Sequence, residues 1–223
     1  MTMRARCVAP WALAGGALGA MLVARRYQQT WGATPEEAAA SLPGDEILGS
    51  ADLVATRAVS IQAPPEDVWP WLAQLGQGRG GFYSYDRLQS LLGLSITNAD
   101  EIVPEWQDLA PGDDVHLAPD VALVAAVVEP EEALVLHGGP GPAEPTVRHP
   151  AMPFAFTWAF VLRPGPRRAT RLLVRERYAY LEPCAGPMVE GVQVASLVMT
   201  ERMLRGIRER AEYRPPAELV TTT

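Results

Sequence analysis

The stretch MVEGVQVASLVMTERMLRGIRERAE, residues 188–212, constrains the fold more than any other part of the chain. Met188, Val189, Val192, Met199, Met203, Leu204 and Ile207 recur at helical spacing and form one apolar stripe. Glu190, Glu201, Arg202, Arg205, Arg208 and Glu209 gather on the opposite side. Roughly 25 residues of helix span about 37 Å. A rod of that length needs a broad apolar surface to lie on, and the preceding residues offer one.

Strand-like segments recur through the chain at 53–63, 114–118, 121–130, 133–139, 154–164 and 169–183. Gly- and Pro-rich turns separate most of them, as in an antiparallel meander. After the first strand, Pro64-Pro65-Glu66-Asp67 opens a helix, since proline and acids both suit a first turn. Val68, Trp71, Leu72 and Leu75 form its apolar face. A second short helix is expected over 84–94, capped by Asp86. The proline-rich segment 138–153 is either a lid or a surface excursion.

Between those two helices, Gly76, Gly78 and Gly81 spell G-x-G-x-x-G. A dinucleotide site needs these glycines after a strand and at a helix N-terminus. Here they follow a helix, where the dipole repels phosphate. Gly76 reads instead as a left-handed helix cap.

Other function classes are disfavoured by composition. The net charge is -7, and the chain has no lysine. Four arginines (Arg4, Arg6, Arg25 and Arg26) sit in the first thirty residues, so the remainder is more acidic still. That argues against nucleic acid, whose binding needs clustered cations. Cys7 and Cys184 make neither a disulfide framework nor a metal spacing, and His116, His137 and His149 are scattered. No cofactor or metal is expected, and no catalytic signature such as G-x-S-x-G appears.

Residues 7–24 carry no charge and are bracketed by arginines. They read as a single-pass membrane anchor, with a cleaved signal peptide or a buried helix as alternatives. Arginines at both ends leave the orientation open. Gly15 and Gly19 form a G-x-x-x-G spacing through which two such helices could weakly associate. The expected organisation is an anchor at 1–27, a linker at 28–51, one globular domain at 52–214 and a disordered tail at 215–223.

Within that domain, alternation puts Phe154, Phe156, Trp158, Phe160 and Leu162 on one strand face. Likewise Leu172, Val174, Glu176, Tyr178 and Tyr180 oppose Arg171, Leu173, Arg175 and Arg177. The arginine face is expected in water, which sends Glu176 inward. A buried carboxylate must pair, protonate or meet a ligand. Arg79 or a tyrosine is the expected partner, with ligand contact as the alternative.

The passage QAPPEDVWPWLAQLG, and the order of elements around it, resemble the START-like (helix-grip) superfamily of pollen-allergen lipid carriers and polyketide cyclases. The stretches VWPWLAQLGQGRGGFYSYD and NADEIVPEWQDLAPGD more narrowly resemble an actinobacterial, membrane-associated group of START-like proteins with no established reaction. The resemblance implies an α+β fold, a curved antiparallel sheet around the C-terminal helix with a cavity between them. Candidate ligand-contacting residues are Trp71, Tyr83, Tyr85, Trp106, Phe156, Trp158, Glu176 and Tyr178, with Gln193, Ser196, Met199 and Met203 on the last helix. Small polar groups beside flexible thioethers suit varied apolar ligands; equally, they could bond backbone or water. The expected partner is a small hydrophobic molecule, lipid or polyketide-like. A cyclase or dehydratase, and a solid interaction module, are the alternatives.

Overall fold

The structure, a computed structural model, describes residues 8–84, 97–139 and 152–213, with side chains from residue 19 onward. The helix expected at 84–94, with Tyr85 and Asp86, lies outside the described residues, as do most of the 138–153 segment and the tail. The elements in chain order are α1 (Val8–Thr30), α2 (Pro35–Ala39), β1 (Leu53–Ile61), α3 (Pro65–Ala73), β2 (Asp114–Ala118), β3 (Val121–Glu129), β4 (Ala133–Gly138), β5 (Phe154–Pro164), β6 (Thr170–Tyr180) and α4 (Ala185–Ala211). All six strands pair antiparallel in one sheet of order β1-β6-β5-β4-β3-β2. The fold is therefore α+β, with the first strand beside the last and the long helix packed on one face.

Two-residue alternation decides what each face buries. Leu53, Ala55, Val59 and Ile61 of β1 join Phe156, Phe160, Leu172 and Val174 beneath Leu204 and Ile207 of α4. Leu72 and Leu75, within and just beyond α3, close the core from the side. The glycine segment after α3 folds back on itself: Gly76 and Gly81 exchange two backbone hydrogen bonds of 3.0 Å. The helix itself ends at Ala73, so the left-handed Gly76 (φ 127°) lies beyond the cap rather than at it.

Residues 28–51 are not a free linker. They form a layer on the outer face of the sheet, where Leu42 packs with Ala58, Val161 and Leu173. The amide of Ala58 donates to Trp31 O, so this segment also covers the free edge of β1. Gly32 makes that approach possible: its φ is 71°, and a Cβ there would collide with the Ala58 carbonyl.

The same layer overturns the expectation that the arginine face lies in water. Arg175 is 3% exposed. It donates to the carbonyls of Ala40 (2.8 Å), Ala38 (3.0 Å) and Glu37 (3.1 Å), to Thr56 Oγ1 and to Asp45 Oδ2. These carbonyls belong to the C-terminal end of α2, a place that favours a cation. Arg171 binds Glu37 and Gly32 O, while Arg177 binds Leu48 O and Asp45. Burial lowers the Arg175 pKa from its usual value, with the Asp45 charge opposing the shift.

One helix runs past its expected end, and another buries a different face. From residue 8 the uncharged run is helical, but α1 continues through Arg25 and Arg26 to Thr30. Among the described residues no helix is long and apolar enough to cross a membrane. In α4 the buried face is rotated from the apolar stripe. Gln193 and Thr200 are buried with Val189, Met203, Leu204 and Ile207, while Met188 and Val192 are 53% and 50% exposed. The reason is an ion pair beneath the helix.

Candidate functional site

Arg57 lies on the inward face of β1 and is 1% exposed. Its Nη1 meets Glu176 Oε1 at 2.7 Å, an ion pair sealed inside the protein. The polar residues of α4 turn toward this pair. Ser196 Oγ donates to Glu176 at 2.8 Å, Thr200 Oγ1 donates to it at 3.1 Å, and Gln193 Oε1 accepts from Arg57 Nη2 at 3.5 Å. Tyr178 OH donates to Glu176 Oε2 at 3.3 Å. Burial, and then the Glu176 charge, push the Tyr178 phenol well above its usual pKa, so it remains a donor. Finally, Arg57 Nε donates to Gln28 O in the last turn of α1 (3.1 Å), where helix carbonyls lack partners. Pairing on every side is what lets two charges remain buried.

Beside this cluster lies a cavity of about 310 Å³ between α4 and the sheet. Its sheet wall is aromatic: Phe154, Phe156 and Trp158 from β5, with Tyr178 from β6. These rings neighbour one another, with centroids 4.7 Å apart for Phe156 and Tyr178, 5.5 Å for Phe154 and Tyr178 and 6.4 Å for Phe156 and Trp158. Val192, Met199 and Met203 of α4 face them across the space. Glu176, Ser196 and Thr200 supply one polar side. The walls are otherwise apolar, as in sites that hold hydrophobic ligands.

Seven of the residues singled out from sequence line this space: Phe156, Trp158, Glu176, Tyr178, Ser196, Met199 and Met203. Four others do not. Trp71 and Tyr83 pack edge to face at 5.7 Å, Tyr83 OH donates to Trp71 O, and Arg210 covers the Tyr83 ring, so both belong to the α3–α4 junction. Trp106 sits in a short 3-10 turn whose carbonyl accepts from Arg79. Arg79 is thereby occupied, so of the two expected partners of Glu176 it is the tyrosine, Tyr178, that meets the carboxylate, beside Arg57. Gln193 lies behind the cavity wall against Arg57. The fifth, Tyr85, lies outside the described residues.

Sequence reasoning missed Arg57, although its signal was present. In β1 it alternates in step with Leu53, Ala55, Val59 and Ile61, which places a guanidinium on the core face. Phe154 of the aromatic face of β5 and Thr200 of the buried face of α4 also line the space. Leu117 and Leu123 were not singled out because β2 is only five residues long and β3 is nearly all apolar.

No protein-family model matches the chain, and no curated protein does so. Several solved structures resemble it in fold. One is jhp0584 from Helicobacter pylori, at 15% identity and a TM-score of 0.46, covering 80% of this chain and 99% of that one. Protein NE0264 from Nitrosomonas europaea is similar at 16% identity and a TM-score of 0.44, covering 72% and 94%. DynU16, from the dynemicin biosynthetic locus, is similar at 18% identity and a TM-score of 0.37, covering 73% of this chain and 51% of that one. The arrangement of sheet and helix is consistent with a helix-grip fold.

Proposed function

We propose that the protein binds and carries a small hydrophobic molecule in the cavity between the sheet and α4. The observation that carries this reading is the cavity itself: a space of about 310 Å³ walled by aromatic rings and thioethers, in an interior that is otherwise closely packed. Empty apolar space forfeits packing energy, so an apolar occupant would stabilise the fold. The START-like resemblance points the same way. An interaction module with a solid interior would have no reason to leave such a space. A cyclase or dehydratase needs a group free to move a proton, whereas Glu176 is held by Arg57, Ser196, Thr200 and Tyr178.

The carrier is further proposed to work at a membrane. What supports this is apolar surface continuous with the uncharged run: Met21, Leu22 and Val23 on α1 are each more than half exposed. Met188, Val192 and Val194 are similarly bare on α4, to which Arg25 of α1 is tied through Glu190. Val192 also lines the cavity.

The test uses the full-length chain, because residues 28–48 are part of the packed structure. Mass spectrometry of its solvent extract should find a co-purified apolar molecule, and a hydrophobic fluorophore should titrate to saturation. Met199→Trp, which fills the cavity from a half-buried position, should abolish that titration. Absence of both a co-purified molecule and saturable binding would overturn the reading.

A further inference from the structure

The polar groups of the cavity wall narrow the class of molecule it could hold, because they are already engaged with one another. Among the described residues the polar side chains of the wall are Ser84, Trp158, Glu176, Tyr178, Ser196 and Thr200. Ser84 Oγ donates to Met199 O at 3.3 Å, and Tyr178, Ser196 and Thr200 all donate to Glu176. The indole Nε1 of Trp158 is buried, so this residue offers the space its ring alone. Among the described residues, then, no side chain of the wall keeps a proton to give a ligand.

Glu176 is closed in the opposite sense. A carboxylate has about four lone-pair sites. Four donors meet this one, namely Arg57 Nη1, Ser196 Oγ, Thr200 Oγ1 and Tyr178 OH. It has no site left for a ligand hydroxyl. Its charge is matched by Arg57, whose Nε holds Gln28 O and whose Nη2 faces Gln193. A ligand carboxylate would therefore find neither a cation nor a donor. A ligand ammonium would meet a carboxylate that already has its counterion. Either charge would be buried unpaired, which is costly. A neutral carbonyl would lose its water without replacement, a smaller cost of the same kind.

What remains open to a ligand is carbon and sulfur. The rings of Phe154, Phe156 and Trp158 form one side, and Met199 and Met203 face them from α4. Aromatic faces and flexible thioethers adapt to an apolar shape without asking for a polar group. The volume of about 310 Å³ lies at the low end of ligand pockets. It suits a compact skeleton of one or two rings better than a long-chain lipid.

Resting on the carrier reading above, we infer that the cavity takes a compact, uncharged, hydrocarbon-like molecule recognised by shape and dispersion alone. The polar cluster in its wall is a closed unit and not a docking point for a head group. Fatty acids and other organic anions are the class this site rejects.

Three probes on one branched naphthalene skeleton test the inference on the full-length chain: isopropylnaphthalene, methyl naphthyl ketone and naphthoate. Each is read by displacement of a hydrophobic fluorophore. The hydrocarbon should bind at least about tenfold more tightly than the ketone, the cost of burying a carbonyl that finds no donor. Naphthoate at neutral pH should bind more weakly still. Naphthyl ethanol, of the same skeleton, should also trail the hydrocarbon by about tenfold on the unaltered chain. Ser196→Ala frees a lone pair of Glu176, so in that variant the alcohol should recover most of the gap. Met199→Trp should abolish hydrocarbon binding.

A ketone or naphthoate that binds within about tenfold of the hydrocarbon, or above it, overturns the closed wall and leaves carriage standing. An alcohol gap that is unchanged in Ser196→Ala overturns the assignment of that closure to the Glu176 cluster. Binding of no probe, or hydrocarbon binding that survives Met199→Trp, overturns both the carrier reading and this inference. The three probes on the unaltered chain are decisive even where a variant fails to fold.

Discussion

Arg57 and Arg175 stand on adjacent rungs of the β1–β6 ladder, opposite Val174 and Thr56, and are almost equally buried at 1% and 3% exposure. The two faces of the sheet use them differently. Outward, Arg175 is held mainly by backbone carbonyls of α2 and its end, which stay in place whatever the neighbouring side chains do. Inward, Arg57 has one backbone partner, Gln28 O, and is otherwise held by side chains, of which Glu176, Ser196 and Thr200 also face the cavity. The outer arginine closes a layer. The inner one neutralises a carboxylate in the wall of a largely apolar space. A buried arginine therefore says little by itself, and the nature of its partners separates a structural clamp from a component of a binding wall.

The largest expected effect breaks the inner pair. Arg57→Met should cost about 3–5 kcal/mol in chemical denaturation, because it leaves the Glu176 charge buried without its counterion. Adding Glu176→Leu to that variant should restore much of the loss, since an apolar pair of similar volume replaces an ionic one. A single-variant loss below about 1 kcal/mol would mean that water reaches the carboxylate and that the pair is not sealed.

Arg175→Met should cost less, about 1–3 kcal/mol. The α2 carbonyls lose their donor, but Asp45 keeps Arg177 as a partner at 3.3 Å, so no unpaired charge is left inside. The two faces would also differ in function. Hydrophobic-probe affinity should be unchanged in Arg175→Met and reduced in Arg57→Met measured under conditions where it folds. Equal effects on binding would erase the distinction drawn between the faces.

Much of the frame was legible because strand alternation and helix periodicity are local. The strands β2 and β5 fall where the pattern puts them, at 114–118 and 154–164, and α4 begins only three residues before its expected start. The aromatic face of β5 was legible for the same reason. What the pattern could not supply was long-range. Arg175 repeats like an exposed residue and is buried only because a segment some 135 positions earlier in the chain folds over it. The rotation of α4 has a similar origin: hydrophobicity favoured Met188 and Val192, but the cost of leaving Arg57 and Glu176 unpaired turned Gln193 and Thr200 inward. Trp71 and Tyr83 were assigned to the cavity by type and by nearness in sequence, whereas the α3–α4 junction needed them.

The smallest effect asks whether the outer face is as dry away from Arg175 as beside it. His137 lies on that face in β4, with Nδ1 donating to Phe156 O at 3.1 Å and Nε2 buried without a partner. Burial lowers its pKa from the ordinary histidine value, and the backbone of Phe156 and Gly139 only partly offsets that. Protonation would put a charge and a second N–H donor into this buried position, where Nε2 now has no hydrogen-bond partner among the described residues. The sign of the linkage follows: the unfolded chain takes up the proton first, near the ordinary value of about 6.5. The contribution of His137 is therefore complete above that pH. It declines as pH falls from there toward the lower folded value, and is constant below it. Denaturation midpoints of the native chain and of His137→Gln should run parallel above about pH 7 and converge as the medium is acidified. An NMR titration that found the His137 imidazole protonating at or above the ordinary value would show water on this part of the outer face, and would confine the dry clamp to the arginine ladder.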